Sequence, residues 1–151
     1  MHAQNTQFQP KDPAFAARVR ASFARQQAMV LIGATLTAVE PGYTEIALPY
    51  RAELTQQKGY VHGGVLGMIA DSACGYAAYS LMPATSSLVT VEYKINILAP
   101  ALGDLVARGQ VIRPGRTLSV ARGEIYSADG THVASMQQTL MMLADTPDTP
   151  A

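Results

Sequence analysis

Cysteine is nearly absent: Cys74 is the only one in 151 residues, which excludes an internal disulfide. A lone thiol on an apolar segment fits a reducing cytoplasm. An excess of either charge is absent too. Eleven Lys and Arg balance eleven Asp and Glu, so nothing drives general nucleic-acid binding. The three histidines, His2, His62 and His132, lack metal-ligand spacing, and no metal is expected. No P-loop, dinucleotide fingerprint or G-x-S-x-G occurs. The polar stretch 1–10 has no apolar core of the kind a secretory signal needs. One apolar run, 61–82, is long enough to raise a membrane question. Asp71, Ser72, Ser80 and four glycines dilute it, and no basic flank orients it, so no membrane span is expected.

What is present is a folded, rather apolar chain, 48% hydrophobic and 15% charged, of a length that suits one domain with a real core. That domain is expected over 12–143, with flexible tails at 1–11 and 144–151. Asp12-Pro13 reads as the start of a helix carrying Phe15, Val19 and Phe23 on one stripe. The β-branched run 30–39 reads as a strand, and Pro41-Gly42 as a turn. A second strand spans 43–50, with Pro49 suggesting a sheet edge. A long helix follows from about Gly63 to Leu81, where Pro83 stops it. Its glycines and alanines predict close packing against a neighbouring backbone.

Four strands complete the chain: 89–97, 105–112, 117–127 and 132–143. In the first, Val89, Val91, Tyr93, Ile95 and Ile97 alternate with Thr90, Glu92, Lys94 and Asn96. Asp129-Gly130 marks a hairpin. In the fifth strand of the chain, Ser119, Ala121 and Gly123 share a face that lets the helix approach. The class is α+β: an antiparallel β-sheet wrapped around a long central α-helix.

Chemistry concentrates on that helix. Asp71 is the single formal charge between Gly59 and Val91. A lone carboxylate on a core helix is costly to keep ionised without partners, so stability alone would favour an apolar residue. His62-Gly63-Gly64 opens the same helix, and free N–H groups at a helix start can hold a negative oxygen. An oxyanion donor and a carboxylate together suit acyl transfer. Gly64 and Asp71 share a face, but seven residues of helix separate them by about 10 Å. One carbonyl cannot reach both within one chain. Two antiparallel helices from a twofold dimer would bring Gly63 or Gly64 of one chain to Asp71 of the other. Gln56, Ser72 and Thr90 are candidates to hold a water.

Blander roles stand beside these. Asp71 would also serve as a structural carboxylate bonded to backbone or Ser72. His62 suits a capping role, and Cys74 that of a small buried hydrophobe. Tyr76 and Tyr79 read as packing residues; Met136, Met141 and Met142 fill core gaps or line an acyl pocket. The turn with Arg113, Gly115, Arg116 and Thr117 suits phosphate or pantetheine contact as well as a solvated hairpin. Lys94, Arg108 and Arg122 add a cationic rim.

The segment Gly59-Tyr-Val-His-Gly-Gly-Val-Leu-Gly-Met-Ile-Ala-Asp-Ser-Ala resembles the signature of hotdog-fold acyl-CoA thioesterases of the phenylacetate-pathway (PaaI-like) type. The resemblance runs from about Phe15 to Leu143. It implies a sheet curved around the central helix, two subunits joined into one long sheet, and dimers that often pair into tetramers. It implies an oxyanion N–H from Gly63 or Gly64 and Asp71 as base or nucleophile. It places His62 and Gln56 beside the thioester from one chain, and Thr90 near the water from the other. Relatives often carry Asn where Gln56 stands and Ser near Thr90. No metal or redox cofactor is implied, and coenzyme A is part of the substrate.

The expected activity is hydrolysis of an acyl-CoA to a free acid and coenzyme A. A hydratase or dehydratase of acyl thioesters on the same fold would need His62 as a proton carrier. A non-catalytic acyl-CoA binding module is the other alternative, although neither flank is expected to hold a helix-turn-helix.

Overall fold

The structure is a computed structural model that describes residues 8–149. Its elements are α1 (Phe15–Ala24), α2 (Gln27–Ile32), β1 (Thr35–Glu40), β2 (Tyr43–Leu48), a 3-10 turn (Ala52–Leu54), α3 (Gly63–Tyr79), β3 (Ser87–Ile97), β4 (Leu105–Arg113), β5 (Leu118–Ser127) and β6 (His132–Leu143). The strands form one antiparallel sheet in the order β1-β2-β4-β5-β6-β3. The sheet packs around α3, whose Leu66, Ile69, Ala70, Ala73 and Ala77 are buried against it. Among the described residues no helix is long and apolar enough to cross a membrane.

The close approach of helix and sheet is set by two strand glycines, Gly109 on β4 and Gly123 on β5, which face each other in register. A Cβ on Gly109 would lie 2.2 Å from the Ala73 carbonyl oxygen, and one on Gly123 would lie 3.0 Å from Cys74 Sγ. The Thr44 hydroxyl on β2 donates to the same Ala73 carbonyl at 2.7 Å. Ala121 is buried beside this trough, so the small face expected on this strand is present. The helix glycines play a lesser part. Gly67 faces the Tyr93 hydroxyl and Gly75 faces Leu88 and Leu140, all side chains rather than backbone.

Three local expectations are corrected. The strand expected over 30–39 begins only at Thr35; residues 27–32 form α2, closed by Gly33 at φ +76°. A short apolar run carries no period that separates strand from helix, and the left-handed glycine decides it. Pro49 does not mark an edge. β2 ends at Leu48 and lies between β1 and β4.

The third correction concerns β3. A bulge between Thr90 and Glu92 shifts its register against β6. Thr90 pairs with buried Leu140, whereas Tyr93 and Ile95 pair with buried Gln138 and Met136. Unbroken alternation would put Thr90 on the outer face with Glu92. The extra residue puts Leu88 and Thr90 on the helix side together with Tyr93, Ile95 and Ile97.

The tails expected as flexible lie partly outside the described residues. Within them, Phe8 packs against the core, and Asp148 pairs with Arg25 at 2.8 Å.

Candidate active site

Two polar clusters lie along α3. The first surrounds Asp71, two turns into the helix. The Thr90 hydroxyl donates to Asp71 Oδ1 at 2.7 Å. The Gln138 amide on β6 donates both to Asp71 Oδ1 and, at 2.8 Å, to Thr90 Oγ1. The β3 bulge is what brings Thr90 to this face, as bulges beside sites commonly re-aim a side chain. Asp71 and Thr90 line a cavity of about 190 Å3 with Ser22, Gln26, Ser72 and Tyr76. Ser72 donates to Gln26 at 3.2 Å rather than to Asp71. Nearby Cys74 is buried, and burial followed by the Asp71 charge pushes its thiol well above the ordinary range. It therefore stays protonated and packs as a hydrophobe.

The second cluster is the start of α3. His62 is the N-cap, and its ring Nδ1 accepts the Gly64 N–H at 2.9 Å. Its carbonyl accepts from Val65 and Leu66. The Gly63 N–H has no partner among the described residues. Of the two candidate oxyanion donors, Gly64 is thus engaged by the cap and Gly63 is open. Gly63 and Gln56 line a second cavity, of about 340 Å3, with Tyr60, Ile97 and Pro100. Gln56 accepts from the Lys58 N–H through its side-chain oxygen, which leaves its amide nitrogen available.

One protomer therefore joins Asp71, Thr90 and Ser72 in one place and Gly63, His62 and Gln56 in another. Eight residues of helix, about 12 Å, separate Gly63 from Asp71. The β4–β5 turn lies elsewhere again. Gly115 and Arg116 border a cavity of about 470 Å3 beside Ala78, Met82 and Lys11, past the C-terminal end of α3. The Thr117 carbonyl accepts from the Met142 N–H. Arg113 ends β4 on the other side of that turn and is exposed.

Gln138 is a residue that the sequence reading missed. The helix-facing positions of β6 are Ala134, Met136, Gln138 and Leu140, all buried. A single amide among apolar neighbours is the same kind of signal that marks Asp71, and it was available in the alternation.

Residues 58–134 match the model of the Thioesterase superfamily. The chain belongs to this family. A crystal structure of a thioesterase family protein from Silicibacter pomeroyi is 45% identical, with a TM-score of 0.84, covering 86% of this chain and 98% of that one. The E. coli PaaI protein of the phenylacetic acid degradation operon shares the fold at 21% identity and a TM-score of 0.82, covering 88% and 96%. A Salmonella typhimurium protein named medium/long-chain acyl-CoA thioesterase YigI is 23% identical over 127 residues, 74% of this chain and 82% of its own. The sheet wrapped on α3 is accordingly the hotdog fold of the thioesterases.

Proposed function

We propose that this thioesterase hydrolyses an acyl-CoA to a carboxylic acid and coenzyme A, at two equivalent sites that each draw on both chains of a homodimer. The observation that carries the reading is the pairing of an open N–H at Gly63 with a carboxylate held by Thr90 and Gln138. The Gly63 N–H of one chain would polarise the thioester carbonyl, helped by the positive end of α3. Asp71 of the other would take a proton from water as it attacks the carbonyl carbon, or attack that carbon directly. The C–S bond then breaks, and the coenzyme A thiolate leaves and is protonated; where Asp71 attacks directly, water then cleaves the acyl-aspartyl anhydride, which frees the acid and restores the carboxylate. Written this way the reaction uses no metal or redox cofactor.

The bare edge of the sheet supports the dimer. Among the described residues β3 has a neighbour on one side only, yet Val89, Val91, Tyr93 and Ile97 on it are 42%, 53%, 44% and 54% exposed. A long apolar edge left open is a template for pairing, and a second copy of β3 would continue the sheet. We further assign the dimer of dimers, and coenzyme A contact by the Arg113, Gly115, Arg116 and Thr117 turn, to this reading. A reduced, buried Cys74 fits a cytoplasmic setting.

The test is release of free thiol from a panel of acyl-CoAs by Asp71→Asn. A fall of at least about 10³-fold in kcat with the dimer retained is expected, since carboxylate and positioned water supply the chemistry. Near-normal turnover would overturn the assignment. Tight acyl-CoA binding without turnover in the unaltered protein would point instead to a binding module.

A further inference from the structure

Gln138 is fully buried in the apolar face of β6, and its amide is used in one direction only. Both donated bonds leave from the nitrogen, to Asp71 Oδ1 and to Thr90 Oγ1. The amide oxygen is buried with no partner among the described residues. The orientation follows from chemistry, because an ionised carboxylate only accepts and so requires the NH2 side. An orphaned acceptor in the core costs stability. Packing alone would be served by Met or Leu, as at Met136 and Leu140 on the same face. What the amide supplies that those cannot is the pair of donors.

Their arrangement is one-sided. Thr90 and Gln138 both donate to Asp71 Oδ1, and Gln138 also donates to Thr90, closing a triangle of three hydrogen bonds. Oδ2 receives no donor from any described residue. The triangle fixes the plane of the carboxylate and leaves one oxygen for chemistry. Thr90 reaches it from β3 and Gln138 from β6, so the hold comes from two strands and not from the helix that carries Asp71.

We propose that Gln138 is a positioning residue for Asp71: its amide locks Oδ1 and the Thr90 hydroxyl, presenting Oδ2 to the attacking water or the acyl carbon. The inference rests on the proposed role of Asp71. It also implies that this position is held for activity at the expense of stability, because its acceptor is sacrificed.

The experiment compares Gln138→Met, close in shape but without donors, with the unaltered enzyme on one acyl-CoA substrate. Removing donors to a charged group is expected to lower kcat about 10- to 100-fold. KM should change less than about threefold, since the amide does not touch substrate. The melting temperature should be unchanged or higher. Gln138→Met in an Asp71→Asn background should have no further effect, because the residue acts through the carboxylate. Retained kcat in Gln138→Met overturns the proposal, as does an equal further loss in the double variant. Gln138→Leu is the second variant. Should both apolar variants lose the folded state by circular dichroism, the amide is a structural group and the proposal falls. Full activity in Asp71→Asn alone would instead remove the underlying reading, whatever Gln138→Met does.

Discussion

The two polar clusters on α3 are built in opposite ways. Around Asp71 the polar centre is a side chain, and two strands supply side chains to hold it. At the start of the helix the polar group is the backbone itself, an N–H at Gly63 that no described residue uses. The first cluster is closed; the second is open. A carboxylate near a core needs donors to remain ionised, whereas a helix start presents N–H groups for no extra cost. The difference teaches where the proposed dimer would have to contribute. The closed half is assembled within one fold; in the proposed reaction the open half would take a carbonyl that Asp71 of a neighbouring chain attacks.

The comparison breaks most directly at Gly63. His62 has φ −59° and ψ 138°, the backbone region favoured before proline, and Gly63 is the first helical residue, where proline is tolerated. Gly63→Pro therefore deletes one N–H and leaves the helix in place. A Cβ there meets Ile97 Cδ1 at 2.9 Å, the movable end of a side chain. kcat is expected to fall about 10²- to 10³-fold, the usual loss for one oxyanion donor. Gly63→Ala adds the Cβ and keeps the N–H, and should keep most activity. If both variants behave alike in steady-state kinetics, the effect is steric and the open half has no oxyanion role.

Mixing sharpens the same point. Asp71→Asn and Gly63→Pro protomers are each expected to be inactive as homodimers. A heterodimer of the two holds one site with both groups intact, if sites are shared between chains. Random exchange then restores about a quarter of full activity, because half the dimers carry one good site of two. Measured exchange without recovery would place both groups in the service of one protomer.

The seat of the helix should be separable from its chemistry. Gly109→Ala drives a Cβ into the Ala73 carbonyl and, at 2.6 Å, the Cys74 nitrogen, both backbone. We expect a loss of about 3 kcal/mol, seen as a melting temperature lower by roughly 6–12 °C. Gly123→Ala meets the Cys74 sulfur first, at 3.0 Å, and Ala70 only at 3.4 Å, so it should cost less. The reverse order by calorimetry would mean that the trough is not what positions α3.

Much of this was legible in the residues. The lone charge at Asp71, the glycine-opened helix and the strand order in the chain led to the fold and to both clusters. Thr90 is named as a water-holding candidate, yet plain alternation would set it with Glu92 on the outer face: a bulge at one residue inverts a period-two pattern, and nothing in Thr90-Val91-Glu92 announces it. Gln138 carried a readable signal and was passed over, because a polar residue in an otherwise apolar strand face weighs little until its partner is known. Residues 30–32 read as strand because Val30 and Ile32 are β-branched, while Gly33 carries the helix stop. The β4–β5 turn is legible as a turn, but its distance from the start of α3 depends on which end of the helix that connection reaches. That is a property of sheet order, not of local sequence.

The smallest expected effect separates hydrolysis from hydration. His62 uses Nδ1 to accept the Gly64 N–H, so its ring is held as a cap with Nε2 carrying the proton. Losing that bond in His62→Ala should cost about 1 kcal/mol of stability, as for other N-caps, with a few-fold change in kcat from a loosened helix start. Asn is a good N-cap but a poor proton carrier, so His62→Asn should restore both. Were His62 the acid or base of a hydratase, Asn would rescue nothing, and either substitution would be as damaging as Asp71→Asn. Thermal melts and turnover on the same three proteins decide between the two, because a cap and a proton shuttle respond oppositely to asparagine.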